Sequence, residues 1–290
     1  MSKWKIGIVG GSGLYQLNAL KNQQWVVVET PWGKPSDELL TGTILGVECV
    51  FLPRHGRGHV MGPSQLNYRA NIDALKRLGV TDIVSISAIG SLIEEMAPGD
   101  FVVVDQFIDR TFAREKSFFG DGLVAHVSMA DPVCPRLSSL VANAAETAGA
   151  KLHRGATYLT MEGPQFSTRA ESHMYRQWGA HVIGMTAMPE AKLAREAELP
   201  YALVGMVTDY DCWRENEAPV EVEAVLVQLM ANAEKGRNLV SHLVATLPAQ
   251  RAASPIDTVL DFALITDPAK RDPALIAKLD AVAGRMFKSE

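Results

Sequence analysis

The stretch Tyr201-Ala-Leu-Val-Gly-Met-Val-Thr208 decides the fold that we predict for this chain. It is apolar, of strand length and rich in valine, which is typical of a strand buried on both faces of a sheet. Asp209 and Asp211 follow it directly. Because open α/β sheets bind ligands at the carboxyl ends of their strands, we expect both carboxylates at the mouth of a cleft. The alternative is that Asp209 belongs to a turn or caps a helix, while Asp211 is solvated.

Short apolar segments alternate with amphipathic helical segments along the rest of the chain, which predicts an α/β fold. We expect one domain, residues 1–247, in which helices flank a central, mixed but largely parallel twisted sheet. Residues 248–290 are predicted to form a linker and a C-terminal helical extension, packed on the same domain or on a neighbouring subunit. The predicted strands are 5–9, 25–29, 39–45, 47–52, 82–87, 101–104, 156–161, 182–184 and 201–208. The predicted helices are 67–78, 137–148, 170–178, 189–198 and 220–247.

The composition is that of an ordinary globular protein, with 290 residues, 47% of them hydrophobic, and a net charge of -5. No basic face is expected, so we predict no nucleic-acid partner. No apolar stretch is long enough to span a bilayer, so we predict no membrane partner. The 3 cysteines show no paired spacing, which predicts neither a disulfide framework nor a zinc site and favours a reducing cytoplasm. The first residues lead directly into a predicted core strand, so we expect no signal peptide.

A glycine-rich loop, Gly7-x-x-Gly10-Gly11-Ser12-Gly13, follows the first predicted strand. Its spacing does not match the dinucleotide fingerprint Gly-x-Gly-x-x-Gly, and Glu29 only approximates the acidic residue expected further on. We interpret it as an anion loop, in which successive backbone N–H groups and the Ser12 hydroxyl would donate to a bound anion. A plain glycine-rich turn is an equally good interpretation of these residues alone.

Other predicted strands also end in residues that could bind an anion. Arg54 offers a planar fork of donors that matches phosphate oxygens, and His55 can add a donor or brace the loop. The alternative for Arg54 is a surface side chain in a solvated loop. Because parallel strands end at the same edge of a sheet, we expect these residues to converge on one small anion. The converging residues are Ser12, Arg54, Ser87 with Ala88, and Thr186.

Ordered motifs run along most of the chain and carry a family resemblance. The most diagnostic are Glu-Gly-Pro-Gln-Phe-Ser-Thr-Arg-Ala-Glu-Ser (162–172), Gly-Met-Thr-Ala-Met-Pro-Glu (184–190) and Thr-Asp-Tyr-Asp-Cys-Trp (208–213). Others are Gly-Ile-Val-Gly-Gly-Ser-Gly-Leu (7–14), Thr-Pro-Trp-Gly-Lys-Pro-Ser-Asp (30–37), Arg-His-Gly-Arg (54–57), Asn-Tyr-Arg-Ala-Asn (67–71), Pro-Gly-Asp (98–100) and Asp-Gln-Phe-Ile-Asp-Arg-Thr (105–111). Over roughly residues 6–243 the chain resembles the 5′-methylthioadenosine phosphorylases of the trimeric purine nucleoside phosphorylase family.

This resemblance implies a nucleoside phosphorylase fold and the phosphorolysis of S-methyl-5′-thioadenosine to adenine and 5-methylthioribose 1-phosphate. It implies inorganic phosphate as the co-substrate and a homotrimer or a hexamer built of trimers. No metal-binding pattern is visible in the sequence, so we expect no metal and no cofactor beyond that phosphate. The residues that it assigns to phosphate are Ser12, Arg54, His55, Ser87, Ala88 and Thr186. The residues that it assigns to the nucleoside are Met185 at the ribose, Phe166 and Ser167 beside the purine, Asp209 and Asp211 at the N7 and amine edge, and His126, Val222 and Val225 around the 5′ substituent. In this family the 5′ pocket can include residues of a neighbouring subunit.

The acidic pair also bears on the base. Relatives selective for 6-oxopurines typically carry Glu and Asn where this chain has Ser167 and Asp209, and carboxylates accept hydrogen bonds from the adenine amine but repel O6. We therefore predict adenine nucleosides as substrates. Asp209 would protonate N7 as general acid, which requires a pKa raised by burial or by Asp211. Gly184 stands where relatives often have Asn, so a polar contact near the ribose would be missing.

Alternative functions remain open on the sequence alone. Within the family, the chain could be a broader purine nucleoside phosphorylase or a methylthioinosine phosphorylase. From other classes, an NAD-dependent oxidoreductase would use the glycine-rich loop, and a non-catalytic nucleoside-binding protein would bind adenine nucleosides without cleaving them.

Overall fold

The computed structural model describes residues 3–11, 17–215 and 222–287. Within these residues the chain folds around one 11-stranded mixed sheet. The strands are β1 (Lys5–Gly10), β2 (Lys21–Val26), β3 (Leu39–Ile44), β4 (Val47–Pro53), β5 (Asp82–Ser91), β6 (Phe101–Val104), β7 (Gln106–Asp109), β8 (Leu152–Arg154), β9 (Thr157–Thr160), β10 (Val182–Gly184) and β11 (Tyr201–Asp209). The helices are α1 (Tyr68–Arg77), α2 (Pro135–Thr147), α3 (Arg169–Gln177), α4 (Ala187–Glu196), α5 (Val222–Thr246) and α6 (Pro273–Lys278). Short 3₁₀ turns cover Pro255–Thr258, Pro268–Lys270 and Gly284–Met286.

Strand β5 is the centre of the sheet. It pairs in parallel with β1 and with β11, and its last residues pair antiparallel with β10. Strand β4 lies parallel to β1 on the far side. The carboxyl ends of β1, β4, β5 and β11 therefore meet at one edge of the sheet, which is the arrangement that the opening apolar run predicted. Every residue of β11 before Asp209 is buried.

Alternate residues of the central strands belong to two different hydrophobic clusters. Ile83 of β5 and Leu203 of β11 pack with helices α1 and α4, whereas Val84 and Val204 pack with α2 and α5. Since successive side chains of a strand point to opposite faces, the helices cover both faces of the sheet. The predicted α/β class with flanking helices is confirmed.

Some predicted boundaries are wrong. The segment predicted as a strand over 25–29 pairs instead as Lys21–Val26, an edge strand whose first residues are exposed and polar. Strands β7 and β8 were not predicted, because a short strand with polar residues has no alternating pattern to reveal it. The long C-terminal helix was predicted from residue 220, but residues 216–221 lie outside the described part.

The residues after Pro248 contact the rest of this same chain. Leu260, Leu279 and Val282 are buried in the cluster that also contains α1 and α4. Arg251 donates from Nε to Oδ2 of Asp82 at the start of β5, over 2.5 Å. None of the described helices is both apolar enough and long enough to cross a membrane.

Candidate active site

Arg54 lies at the centre of the edge where the parallel strands end. Its backbone N–H donates to the Gly10 carbonyl over 2.9 Å, and the residue is only 2% exposed. The guanidinium donates from Nε to Oε2 of Glu190 over 2.8 Å, and from Nη2 to Ser85 Oγ over 2.5 Å. The interpretation of Arg54 as a solvated surface residue is therefore wrong.

The same guanidinium brings two predicted anion-binding hydroxyls together. Nη1 of Arg54 donates to Ser87 Oγ over 3.0 Å, and Ser87 Oγ lies 3.4 Å from Thr186 Oγ1. Thr186 precedes α4, and its side chain makes no capping bond to that helix. Its hydroxyl is thus not used as a helix cap and can, together with the Ser87 hydroxyl, donate to a bound anion. Ala88 follows Ser87 in β5, and Ser12 lies outside the described residues.

His55 braces the loop that follows Arg54. Its Nδ1 lies 2.9 Å from the Met61 carbonyl oxygen, and its ring stacks on His59 with 4.2 Å between centroids. Burial, reinforced by the Arg54 charge, lowers the pKa of His55 to about 4. The ring is therefore neutral at pH 7, with its proton on Nδ1 donated to the carbonyl. Its Nε2 is left as an acceptor, which suits a protonated phosphate oxygen better than an unprotonated one.

Asp209 ends β11 and is held by its neighbours. Its Oδ1 accepts from the backbone N–H of Asp211 over 2.8 Å, and its Oδ2 lies 2.7 Å from Thr208 Oγ1. Burial raises the pKa of Asp209, and the nearby Asp211 carboxylate raises it further. Burial is the larger of these two causes. Gly90 makes room for this carboxylate, because a Cβ at position 90 would lie 2.8 Å from Asp209 Oδ1.

One carboxylate oxygen of Asp211 is an acceptor that no donor reaches within the described residues. Its Oδ2 is buried and has no hydrogen-bond partner among residues 3–11, 17–215 and 222–287. Burial raises the pKa of Asp211, although the hydroxyls of Ser172 and Ser167 act in the opposite direction. The interpretation of Asp211 as a solvated residue is therefore wrong. The loop that carries Ser167 is adjacent to Asp211, since Cys212 Sγ donates to the Ser167 carbonyl over 3.2 Å.

Met185 lies between the anion-binding residues and the loop after β9. A Cβ at Gly163 would lie 2.5 Å from Met185 Sδ, so the thioether packs directly on that glycine. Phe166 follows in the same loop and is 42% exposed. The loop after β9 and the turn before α4 therefore meet at the side chain of Met185.

The structure does not join three of the predicted residues to this edge. His126 is exposed, and its backbone N–H donates to the Ala263 carbonyl over 2.9 Å. Val222 is exposed and Val225 half-buried in the first turns of α5. That helix is attached near the site by Asn232, whose Nδ2 donates to the Val207 carbonyl over 3.2 Å. The roles of His126, Val222 and Val225 around a 5′ substituent stay predictions.

Sequence reasoning missed two residues that organise the site. Glu190 is 2% exposed and pairs with Arg54, and Arg114 is 8% exposed and donates to the Met185 carbonyl over 2.6 Å. Glu190 had a weak signal, because an acidic residue in the first turn of a predicted helix directly after a strand end lies close to the site. Arg114 had none, since its loop carries no periodic pattern.

Gly184 is explained by a tyrosine on the neighbouring strand. A Cβ at position 184 would lie 2.0 Å from Tyr158 Oη. Tyr158 is fully buried, and its hydroxyl has no hydrogen-bond partner in the described part of the chain. Strands β9 and β10 are parallel with Val182 opposite Tyr158, so the two positions are neighbours. The tyrosine hydroxyl thus occupies the space where a side chain at position 184 would begin.

Gly184→Ala is expected to lower the free energy of unfolding by about 2–3 kcal/mol, because the added methyl group overlaps the tyrosine hydroxyl. Urea unfolding measures the loss, and the double variant Gly184→Ala with Tyr158→Phe should recover part of it. Gly120→Ala is the matched control, since a Cβ there meets nothing within 4 Å. Equal stability of Gly184→Ala and Gly120→Ala would contradict the assignment.

The chain is therefore an α/β protein in which a buried arginine after β4 meets the hydroxyls of Ser87 in β5 and Thr186 after β10, with an acidic pair at the end of the adjacent strand β11. The chain belongs to the phosphorylase superfamily, whose family model matches residues 5–245. It is 62% identical to the S-methyl-5′-thioadenosine phosphorylase of Cereibacter sphaeroides over 288 residues, covering 99% of each chain. It is 58% identical to that of Rhodospirillum rubrum over 284 residues, covering 97% of each.

Solved structures agree with these matches. A methylthioadenosine phosphorylase from an antarctic soil metagenomic library is 48% identical, with a TM-score of 0.92 over 97% of this chain and 99% of that one. The methylthioadenosine phosphorylase of Schistosoma mansoni in complex with adenine is 40% identical, with a TM-score of 0.81 over 85% of this chain and 93% of that one. The family resemblance of the sequence is confirmed, which decides against an oxidoreductase and against a non-catalytic binding protein.

Proposed function

We propose that this chain catalyses the phosphorolysis of S-methyl-5′-thioadenosine to adenine and 5-methylthioribose 1-phosphate. The observation that carries the proposal is the acidic pair Asp209 and Asp211 at the end of β11, on the same sheet edge as Arg54, Ser87 and Thr186. Relatives between 48% and 62% identical that bear the name of this activity support it. In the reaction the bond from ribose C1′ to purine N9 breaks, and a phosphate oxygen bonds to C1′.

The phosphate lies against the Ser87 and Thr186 hydroxyls, in the turn between β10 and α4. Arg54 orients the Ser87 hydroxyl and contributes positive charge, although protein groups already engage its N–H groups. Because these groups are already positioned and need no reorganisation, they stabilise the approaching dianion beneath the sugar. The anion then both attacks C1′ and balances the positive charge that develops on the ribose.

Asp209 and Asp211 bind the departing base, on the side of the ribose opposite to the phosphate. A protonated Asp209 donates its proton to N7, so that adenine leaves as a neutral molecule. Burial raises the pKa of Asp209, which keeps the proton available closer to neutrality than for an exposed aspartate. Asp211 Oδ2, a buried acceptor that no donor reaches within the described residues, receives the hydrogen bond of the adenine amine.

This arrangement predicts strong selection for adenine. The purified protein is expected to release adenine from S-methyl-5′-thioadenosine only when phosphate is added, because a phosphate oxygen is the nucleophile that bonds to C1′. Methylthioinosine should be cleaved with kcat/KM at least about 100-fold lower, since O6 leaves the acceptor of Asp211 unpaired. A spectrophotometric assay of both nucleosides measures the ratio. Equal values for the two bases would contradict the role of Asp211, and adenine release without phosphate would contradict phosphorolysis.

We also propose that the protein acts as a homotrimer, or as a hexamer of trimers, in the cytoplasm, with no cofactor beyond the phosphate co-substrate. Large apolar side chains on its surface support the oligomer: Met230 on α5 is 72% exposed and Phe262 is 99% exposed. Such side chains gain stability when a partner surface covers them. The 5′ pocket would be completed by a neighbouring subunit, which accounts for the exposed position of His126.

A further inference from the structure

Arg114 is buried in the middle of three loops that surround the proposed ribose and phosphate positions. Its Nη1 donates to the carbonyls of Met185 and Met188 over 2.6 Å and 2.7 Å. Its Nη2 donates to the Glu162 carbonyl over 2.5 Å. One side chain therefore fixes the loop after β9 and the turn between β10 and α4.

The two methionine carbonyls bracket Thr186. In a trans peptide the N–H points away from the preceding carbonyl, so anchoring the Met185 carbonyl also sets the direction of the Thr186 N–H. The position of the Thr186 hydroxyl, 3.4 Å from Ser87 Oγ, then depends on a guanidinium that lies behind the turn. The non-helical backbone of Met188, with φ -118° and ψ 135°, leaves its carbonyl outside the α4 hydrogen-bond pattern and available to Arg114.

The loop that carries Arg114 is itself held by Glu162. Oε2 of Glu162 accepts from the Phe112 N–H over 2.7 Å, and Oε1 lies 3.4 Å from Nε of Arg114. The Ser64 hydroxyl donates to the same Oε1. Glu162 and Arg114 thus hold each other and connect the loop before α1 with those after β7, β9 and β10.

We propose that Arg114 is a positioning residue, which acts on phosphate and ribose through the Met185 and Thr186 turn without touching either. The proposal rests on the proposed function for the identity of the ligands. A purely structural role would lower stability alone. A positioning role also weakens phosphate binding and turnover, because a displacement of about 1 Å at a reacting group costs about 100-fold in rate.

The test compares R114M and R114K with R251M. Arg251 is also a buried arginine that pairs with Asp82 and Asp257, but at the opposite end of β5. We expect R114M to lower kcat/KM for phosphate by about 100-fold and to raise the KM for phosphate. R114K keeps the charge but lacks the planar fork. It should therefore restore the stability of the protein but only part of the kcat/KM for phosphate. R251M should lower Tm and leave the KM for phosphate within about twofold of wild type.

The proposal would be overturned if R114K and R114M both kept the wild-type kcat and KM for phosphate. If R114M does not fold, R114K alone decides the question. Calorimetric titration of each folded variant with adenine and with phosphate separates this outcome from failure of the proposed function. If wild type bound neither ligand and released no adenine, the function itself would be wrong. If wild type bound both and R114K bound them equally well, only the positioning role would be wrong.

Discussion

Asp209→Asn is expected to lower kcat for S-methyl-5′-thioadenosine by about 100-fold or more, because an amide can hydrogen-bond to N7 but cannot transfer a proton to it. The KM should change much less, since Asn fits the same space. Steady-state kinetics over a range of pH measures both effects. Wild-type kcat/KM should fall as pH rises through the raised pKa of Asp209, and that fall should be absent in the variant.

Stability provides a second readout of the same carboxyl group. Because burial raises the folded-state pKa of Asp209, ionisation destabilises the fold, and this loss grows as pH rises through the folded-state pKa. Asp209→Asn should therefore have a Tm equal to or above that of wild type at alkaline pH, with the difference disappearing in acid.

Asp211→Asn is the control for the kinetic experiment, as it should raise the KM and weaken adenine selection more than it lowers kcat. Unchanged kcat in Asp209→Asn would contradict the proton-donor role.

The position of Asp209 and Asp211 at the end of a buried strand could be predicted from the sequence, because it depends on local patterns. A buried strand shows as an apolar run, and the rule that ligands bind at carboxyl ends places whatever follows it. Predicting where these two residues lie required no information about residues far away in the chain. Ser87 and Thr186 do meet as predicted, but this rule does not explain the contact, because Ser87 lies inside β5 and Thr186 follows β10, which runs antiparallel to β5.

The supporting contacts could not be predicted, because they join residues that are far apart in the chain. Arg54 pairs with Glu190 across 136 positions, and Arg114 reaches Met185 across 71. No periodicity records such a pair, so a solvated surface position remained the alternative for Arg54. Gly184 was interpreted as the loss of a polar contact, whereas the structure fills that space with Tyr158 from a neighbouring strand.

The ion pair between Arg54 and Glu190 carries the second large expected effect. Arg54→Met is expected to lower the free energy of unfolding by about 3–5 kcal/mol, because it leaves Glu190 as a buried and unpaired carboxylate. Glu190 would keep hydrogen bonds from Ser85 Oγ at 2.7 Å and Tyr201 Oη at 2.8 Å, which only partly offset the lost cation. Phosphate-dependent turnover should also be lost, since Ser87 is released. Denaturant unfolding at neutral pH measures the stability.

The double variant Arg54→Met with Glu190→Leu separates the two consequences. Removing both charges deletes the unpaired carboxylate, so we expect it to recover a large part of the lost stability. Turnover should not return, because no guanidinium orients the Ser87 hydroxyl and no positive charge faces the anion. Recovery of turnover together with stability would mean that Arg54 serves only the fold, and that Ser87 and Thr186 bind phosphate without it.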